Sequence, residues 1–236
     1  MSSKTRNRHK PSERDLARWR QINEDLLDWL YSGLTGRFQI AGHRLLDLWA
    51  KGYANSIILE VGCGHGHHVR YGENKYKTYI GLDVERKFLQ TVKSRFPGTV
   101  LINGDVYSMP LRDNSVDCVL SVYCFEHLRR LPLCLAEIHR VIRPEGLLLI
   151  GLPAEGGLLY RVGRSLTSKP YMERRYGIDY NAIVQWEHWN TFKEVVEMIT
   201  EQFDIIEKKF IPFPFLPIAG ANVIGCLKTK PIIDPP

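Results

Sequence analysis

The chain has no Cys-x-x-Cys pair: its five cysteines, Cys63, Cys118, Cys124, Cys134 and Cys226, fall at irregular intervals. That spacing supplies neither a disulfide framework nor the four clustered Cys or His ligands of a structural zinc site, so no metal is expected. No signal-like apolar run opens the sequence, and free thiols then point to a reducing compartment, the cytoplasm. Also missing is an unbroken run of about 20 apolar residues, the length that a spanning helix needs. The best candidate, 210–227, is broken by Pro212, Pro214, Pro217 and Asn222, and fits two strands joined by a turn. There is no internal repeat, no low-complexity segment and no compositional break. With 236 residues the chain suffices for one large domain, so 1–236 is expected to fold as one unit.

Charge is present, but unevenly. Residues 1–20 carry seven cations (Lys4, Arg6, Arg8, Lys10, Arg14, Arg18, Arg20) against Glu13 and Asp15, which is +5 of the total of +6. Such a stretch can touch phosphates or an anionic membrane surface, or remain a solvated tail over 1–11.

Ser12-Glu13-Arg14-Asp15 after Pro11 reads as a helix start with an acid three residues past a Ser cap. Leu16, Trp19, Ile22, Leu26 and Leu30 follow at helical spacing, and Gly33 is a plausible stop. A second short helix is expected over Ile40–Ala50, completing N-terminal helices within 12–50. Trp19 and Trp29 are expected to pack between these helices and a sheet.

From Ser56 short apolar runs alternate with helices. Strands are expected at Ile57–Val61, Tyr79–Asp83, Val100–Ile102, Val116–Ser121 and Leu147–Leu152, with helices at Glu85–Phe96 and Leu131–Ile142. Continuous rather than alternating apolar strands imply burial on both faces, hence a parallel, doubly wound α/β sheet. Residues 154–190 show weak periodicity and many Gly, Arg, Tyr and Trp. A capping box at Thr191–Glu194 then starts a helix with Phe192, Val195, Val196, Ile199 and Phe203 on one face. Two last strands are expected near Ile205–Pro212 and Val223–Thr229.

The first strand runs into Glu60-Val61-Gly62-Cys63-Gly64-His65-Gly66, a glycine turn at which a ligand can approach the backbone. The competing dinucleotide fingerprint requires a third glycine where His67 stands. Glu60 would also repel a pyrophosphate, but not a ligand bearing an ammonium and a sulfonium. Asp83 ends the second strand about 20 residues later, placed for ribose hydroxyls. Asp105 ends the third, placed for an adenine amine. Each acid alone can be a turn residue; three at successive strand ends argue for the ligand crevice of an open sheet.

The combination resembles the class I S-adenosylmethionine-dependent methyltransferases, closest to the methyltransferase-11-type group, over about Ile57 to Pro153. It rests on the E-x-G-x-G-x-G turn, Gly81-Leu82-Asp83, Gly104-Asp105, the run Asp113 to Val119, Glu126-His127-Leu128, and Glu137 to Gly146. The resemblance implies a mostly parallel seven-stranded Rossmann-like sheet with an antiparallel last strand, and S-adenosylmethionine as donor. Carried over, Glu60, Gly62, Cys63, Gly64 and Gly66 would face the methionine moiety, and Asp83 with Val84 the ribose. Asp105 and Val106 would face adenine, and Ser121 to Tyr123 would line the donor near its methyl. Glu145 departs from the family, which usually has glycine there.

Methyl transfer from a sulfonium needs chiefly alignment, plus a base where the acceptor is a hydroxyl. His127, just past the fourth strand, is the first candidate base. His188, in Trp186-Glu187-His188-Trp189-Asn190, is the second, within an acceptor-side insertion or lid over 154–190. Either can instead be a structural histidine. The aromatic and arginine-rich lid (Tyr160, Arg161, Arg164, Tyr171, Arg174, Arg175, Tyr176) favours O-methylation of a small-molecule, lipid or glycan acceptor. A nucleic-acid methyltransferase is the alternative, but Ser121-Val122-Tyr123-Cys124 lacks the Asn/Asp-Pro-Pro-Tyr run of base-amine enzymes. A third reading is a non-catalytic donor-binding protein.

Overall fold

The computed structural model describes residues 10–31, 33–72, 75–155, 158–216 and 222–233. The side chains of Leu26, Trp29 and Leu30, and the tail cations Lys4, Arg6 and Arg8, lie outside the described residues. Two helices come first, α1 (Glu13–Leu30) and α2 (Gly33–Ala50). The Asp15 amide donates to Ser12 Oγ at 3.1 Å, which is the cap expected from the sequence. Gly33 does not end a helix; with φ at +56° it opens α2, which runs seven residues earlier than its apolar pattern suggested.

The alternating region follows as β1 (Ile57–Val61), α3 (Val69–Gly72), β2 (Thr78–Asp83), α4 (Arg86–Arg95), β3 (Val100–Asn103), β4 (Val116–Val122), α5 (Leu131–Val141) and β5 (Ile142–Pro153). Three further helices, α6 (Leu158–Leu166), α7 (Ser168–Tyr176) and α8 (Tyr180–Glu187), occupy the stretch of weak periodicity. Then come α9 (Phe192–Ile199), β6 (Phe203–Ile211) and β7 (Ile224–Pro231). The capping box is present: Thr191 Oγ1 accepts from the Glu194 amide while Glu194 accepts from the Thr191 amide.

The seven strands form one sheet in the order β3-β2-β1-β4-β5-β7-β6. The first five pair in parallel, and β7 runs antiparallel between β5 and β6. Strand order reverses between β1 and β4, so the crevice outside their carboxyl ends is the topological switch point. One core lies under α5 and α9, with Phe125, Leu135, Ile138, Val195 and Phe203 fully buried. A second lies under α2 and α4, around Leu46, Ile58, Val92 and Leu120. A third joins α1 to α7 and α8 through Leu16, Ile22, Met172 and Ile183. Trp19 belongs to that third cluster, its ring 6.3 Å from Tyr180, and not to a helix–sheet interface.

Much of the family-like run is brace rather than site. Glu137 of α5 accepts from the Met109 amide at 2.8 Å, and Arg140 donates to Leu111 O, Met109 O and Asp113. Asp117 accepts from the Ile57 amide at 2.8 Å, pinning the start of β1. Glu145 sits near the amino-terminal start of β5, remote from the switch point, with Lys230 at 3.7 Å.

Candidate active site

A partly enclosed cavity of about 410 Å³ opens at the carboxyl ends of β1, β2, β4 and β5. Its floor is the glycine turn. Gly62 and Cys63 both donate their amides to Leu82 O, which folds the turn back on β2. Gly62 has φ at +70°, and a Cβ there would overlap Cys124 Sγ. Gly64, at φ +49°, has open space where a Cβ would stand, so its backbone faces the cavity bare. Gly66 is not part of the wall. A Cβ on it would crowd Val92 at 3.0 Å, so it serves the close approach of α4.

Two acids line the floor. Asp83 accepts the Gly64 amide at 2.8 Å on one oxygen and the Glu85 amide at 2.9 Å on the other. Each oxygen keeps a second lone pair for a ligand hydroxyl. Glu60 is buried and accepts from Tyr79 OH at 2.8 Å. Burial outweighs that hydrogen bond and pushes its carboxyl up to about 8.

The remaining expected donor contacts divide. Tyr123 lines the cavity with φ at +56°, a left-handed conformation unusual for a bulky residue and typical of functional sites. Ser121 is fully buried one layer deeper, and Val122 takes the wall position. Val84, Asp105 and Val106 stand outside the cavity lining. Asp105 is exposed and accepts the Tyr107 amide at 2.9 Å, a turn-capping role, and Val106 packs against the core.

The other end of the cavity is built by the turn after β4 and by α6 and α8. Trp189 and Asn190 donate their amides to Glu126 O at 2.6 and 3.1 Å, and Asn190 Nδ2 reaches Phe125 O and Leu128 O. These bonds lock the 125–128 turn to the segment that carries His188. The His127 and His188 rings meet edge to face, centroids 4.7 Å apart. His127 Nδ1 lies 3.2 Å from Glu187 O; a carbonyl only accepts, so Nδ1 carries the proton and Nε2 the lone pair.

His188 Nδ1 lies 2.8 Å from Glu155 Oε1, and Glu155 also accepts from Tyr160 OH. Burial alone would depress His188, but the adjacent Glu155 carboxylate overcomes it and holds the imidazole above its ordinary 6.5. Glu126 is 2% exposed, with Oε2 unpartnered among the described residues. Burial raises its carboxyl to about 7. Glu155, Glu126 and Tyr160 were not singled out in the sequence. The signal available was the acid in Pro153-Ala154-Glu155, immediately past the end of β5.

A histidine relay closes the other wall. Tyr31 OH is 2.6 Å from His43 Nε2, and His43 Nδ1 is 2.9 Å from His68 Nδ1. His67, the residue that displaces the dinucleotide glycine, stacks on Tyr31 at 4.0 Å. Among the described residues no group of three or more His, Cys, Asp or Glu is placed to hold a metal.

Residues 59–150 match the methyltransferase domain family. The chain is 30% identical over 118 residues to malonyl-[acyl-carrier protein] O-methyltransferase of Pectobacterium atrosepticum, covering 50% of this chain and 46% of that one. It is 38% identical over 96 residues to the phthiotriol/phenolphthiotriol dimycocerosates methyltransferase of Mycobacterium tuberculosis, covering 38% and 34%. Over residues 59–150 the chain is thus similar to the methyltransferase domain of S-adenosylmethionine-dependent enzymes.

This methyltransferase domain spans less than half the length of those curated relatives. Its fold is shared with N-methyltransferase NodS of Bradyrhizobium japonicum, solved with S-adenosyl-L-homocysteine (TM-score 0.64, 15% identity, 94% of this chain and 100% of that one). It is also shared with a possible histamine N-methyltransferase of Thermotoga maritima (TM-score 0.62, 16% identity, 91% and 98%). S-adenosylmethionine, the methyl donor of this domain class, fits the residues present. The cavity offers a bare glycine backbone, a ribose-competent Asp83 and a buried Glu60, with no Lys or Arg among its described lining residues. None of the described helices is long and apolar enough to cross a membrane.

Proposed function

We propose that the chain transfers the methyl group of S-adenosylmethionine to a hydroxyl oxygen of a small-molecule, lipid or glycan acceptor, with His188 as general base. The observation that carries this reading is the Glu155–His188 pair on the cavity wall. A carboxylate 2.8 Å from Nδ1 stabilises the imidazolium formed when the ring takes the hydroxyl proton. The bound donor supplies an electrophilic methyl, and the chain's own residues supply alignment, exclusion of water and a proton acceptor. This reverses the order expected from sequence. His127 is exposed, its Nδ1 is spent on a carbonyl, and no carboxylate orients it.

The lining also discriminates between acceptors. Glu126 and Glu187 stand at the acceptor end, and no Lys or Arg among the described lining residues opposes them. A carboxylate acceptor would meet no Lys or Arg among the described lining residues, whereas a hydroxyl can donate to the unpartnered Glu126 Oε2. Malonyl-[acyl-carrier protein] is therefore disfavoured, although a relative is named for it. Of the insertion's arginines, Arg161, Arg174 and Arg175 are exposed and outside the lining, while half-buried Arg164 lies close enough to act on Glu155 and His188. The test is transfer of labelled methyl to a panel of phenols, alkanols, glycans and carboxylic acids. Methyl ethers are the expected products; methyl esters as the main products would reject the reading.

A further inference from the structure

The face around the cavity mouth carries features that methyl transfer does not use. We propose that α6, α7 and residues 213–216 after β6 form a docking surface for an anionic lipid bilayer, which goes beyond the reading of the catalytic site above.

Three observations carry it. The first is apolar exposure at one end of the sheet. Pro153, the end of β5 and the approach to α6, pairs with Ile224, and Ile211, the end of β6, pairs with the same residue. The α6 helix and residues 213–216 therefore leave the sheet at its cavity end. There Leu166 and Phe215 are each 75% exposed, and Val162, Phe213 and Leu216 also face solvent. Val162 and Leu166 are one helical turn apart, beside the exposed Arg161, while Tyr160 of the same helix lines the cavity.

The second is that residues 213–216 are braced in their exposed form. Buried Asn222 accepts from the Phe213 amide at 2.8 Å and donates to Leu216 O at 3.0 Å. The Phe213 amide, its partners and the ring contact between Phe213 and Phe215 hold two phenylalanines outward, where water alone would not favour them.

The third is charge. Residues 158–176 contain Arg161, Arg164, Lys169, Arg174 and Arg175 against the single acid Glu173, a net +4, with Arg164 half-buried against Asn181 and the others at or near the surface. Glu173 is already occupied by Lys169 at 2.9 Å. Arg174 and Arg175 flank a shallow, mostly apolar hollow with Pro170 and Tyr171, their exposed guanidinium groups available to headgroup phosphates around it. Exposed aromatic and aliphatic side chains among arginines fit the boundary between headgroups and acyl chains, where both signals add. A nucleic acid would use the arginines but leave Phe215 and Leu166 in water.

Co-sedimentation of the full chain with vesicles tests this. Phosphatidylcholine vesicles containing phosphatidylglycerol are expected to bind about tenfold or more tightly than phosphatidylcholine alone, with binding lost in about 0.5 M salt. Phe215→Glu and the double variant Arg174→Glu/Arg175→Glu are each expected to weaken binding about tenfold. Both should leave S-adenosyl-L-homocysteine affinity and the circular-dichroism spectrum unchanged. No preference for anionic vesicles would overturn the proposal. So would full binding by Phe215→Glu, which reduces the contact to charge attraction that a duplex oligonucleotide satisfies equally. Loss of binding on deleting residues 1–10, with both variants still bound, assigns the contact to the tail and overturns it too.

Discussion

His188→Ala is expected to lower kcat by about 10²–10⁴-fold once an acceptor is in hand, while donor affinity stays within error. The size follows from removing a positioned base that no other described group replaces with the same orientation. His127 faces the same cavity, but its ring is fixed by Glu187 O and has no carboxylate behind it. Its Ala variant is expected to lose well under tenfold. Glu155→Gln keeps the hydrogen-bonding shape and removes the charge, so it should act on kcat rather than KM. The pH profile supplies the sign. A base is inactive when protonated, and Glu155 holds His188 above 6.5, so wild-type kcat/KM should rise with pH through a value above that. In Glu155→Gln this limb should move to lower pH. Glu126 also titrates near 7, so Glu126→Gln is the control that must retain the limb. If His188→Ala keeps full turnover with its acidic limb intact, the base assignment falls.

Gly62→Ala is expected to destabilise the fold by about 2–5 kcal/mol, measured as a lower urea midpoint with unchanged slope. Two costs coincide at this residue. An L side chain at φ +70° is strained by about 1–2 kcal/mol. Its methyl would also overlap Cys124 Sγ, with the fixed Cys124 Cβ only 3.0 Å away, adding about 1–3 kcal/mol of overpacking. Gly64→Ala is the matched comparison. Its φ is also positive, at +49°, but nothing stands within 4 Å, so the strain cost alone of about 1–2 kcal/mol is expected. Equal losses for the two variants would show that contact with Cys124 does not set the requirement for glycine.

The parallel half of the sheet was legible because strands buried on both faces are written as unbroken apolar runs. Ile57–Val61 is the same in sequence reading and structure, and β2, β3 and β4 differ by one residue at an end, whereas β5, expected at Leu147–Leu152, already begins at Ile142. The region 158–187 was not legible as helices, because each is only eight or nine residues long and packs on other helices rather than on the sheet. Its punctuation was nonetheless present. Gly177 at φ +61° closes α7, and Asp179 caps α8 by accepting from the Ala182 amide at 2.9 Å. Among the candidate site residues, Glu60 and Asp83 could be placed on the cavity floor from sequence because a strand end fixes a side chain's place without tertiary knowledge. Glu155 could not, since its meaning depends on His188, 33 positions later and brought back only by the lock between Glu126 O and residues 189–190. Asp105, an acid at a strand end, stands outside the cavity lining and accepts the Tyr107 amide across a turn.

Calorimetric titration with S-adenosylmethionine and S-adenosyl-L-homocysteine, on wild type and on Asp83→Ala, tests the central claim most directly. Both ligands should bind wild type at a single site. Asp83→Ala should weaken them by about tenfold to over a hundredfold, as expected for about 1.5–3 kcal/mol of charge-assisted hydrogen bonding. Nicotinamide and flavin dinucleotides should give no heat, because His67 stacked on Tyr31 and buried Glu60 stand where a pyrophosphate would dock. Absent binding of the donor, equal affinity in Asp83→Ala, or micromolar binding of either dinucleotide would contradict the account.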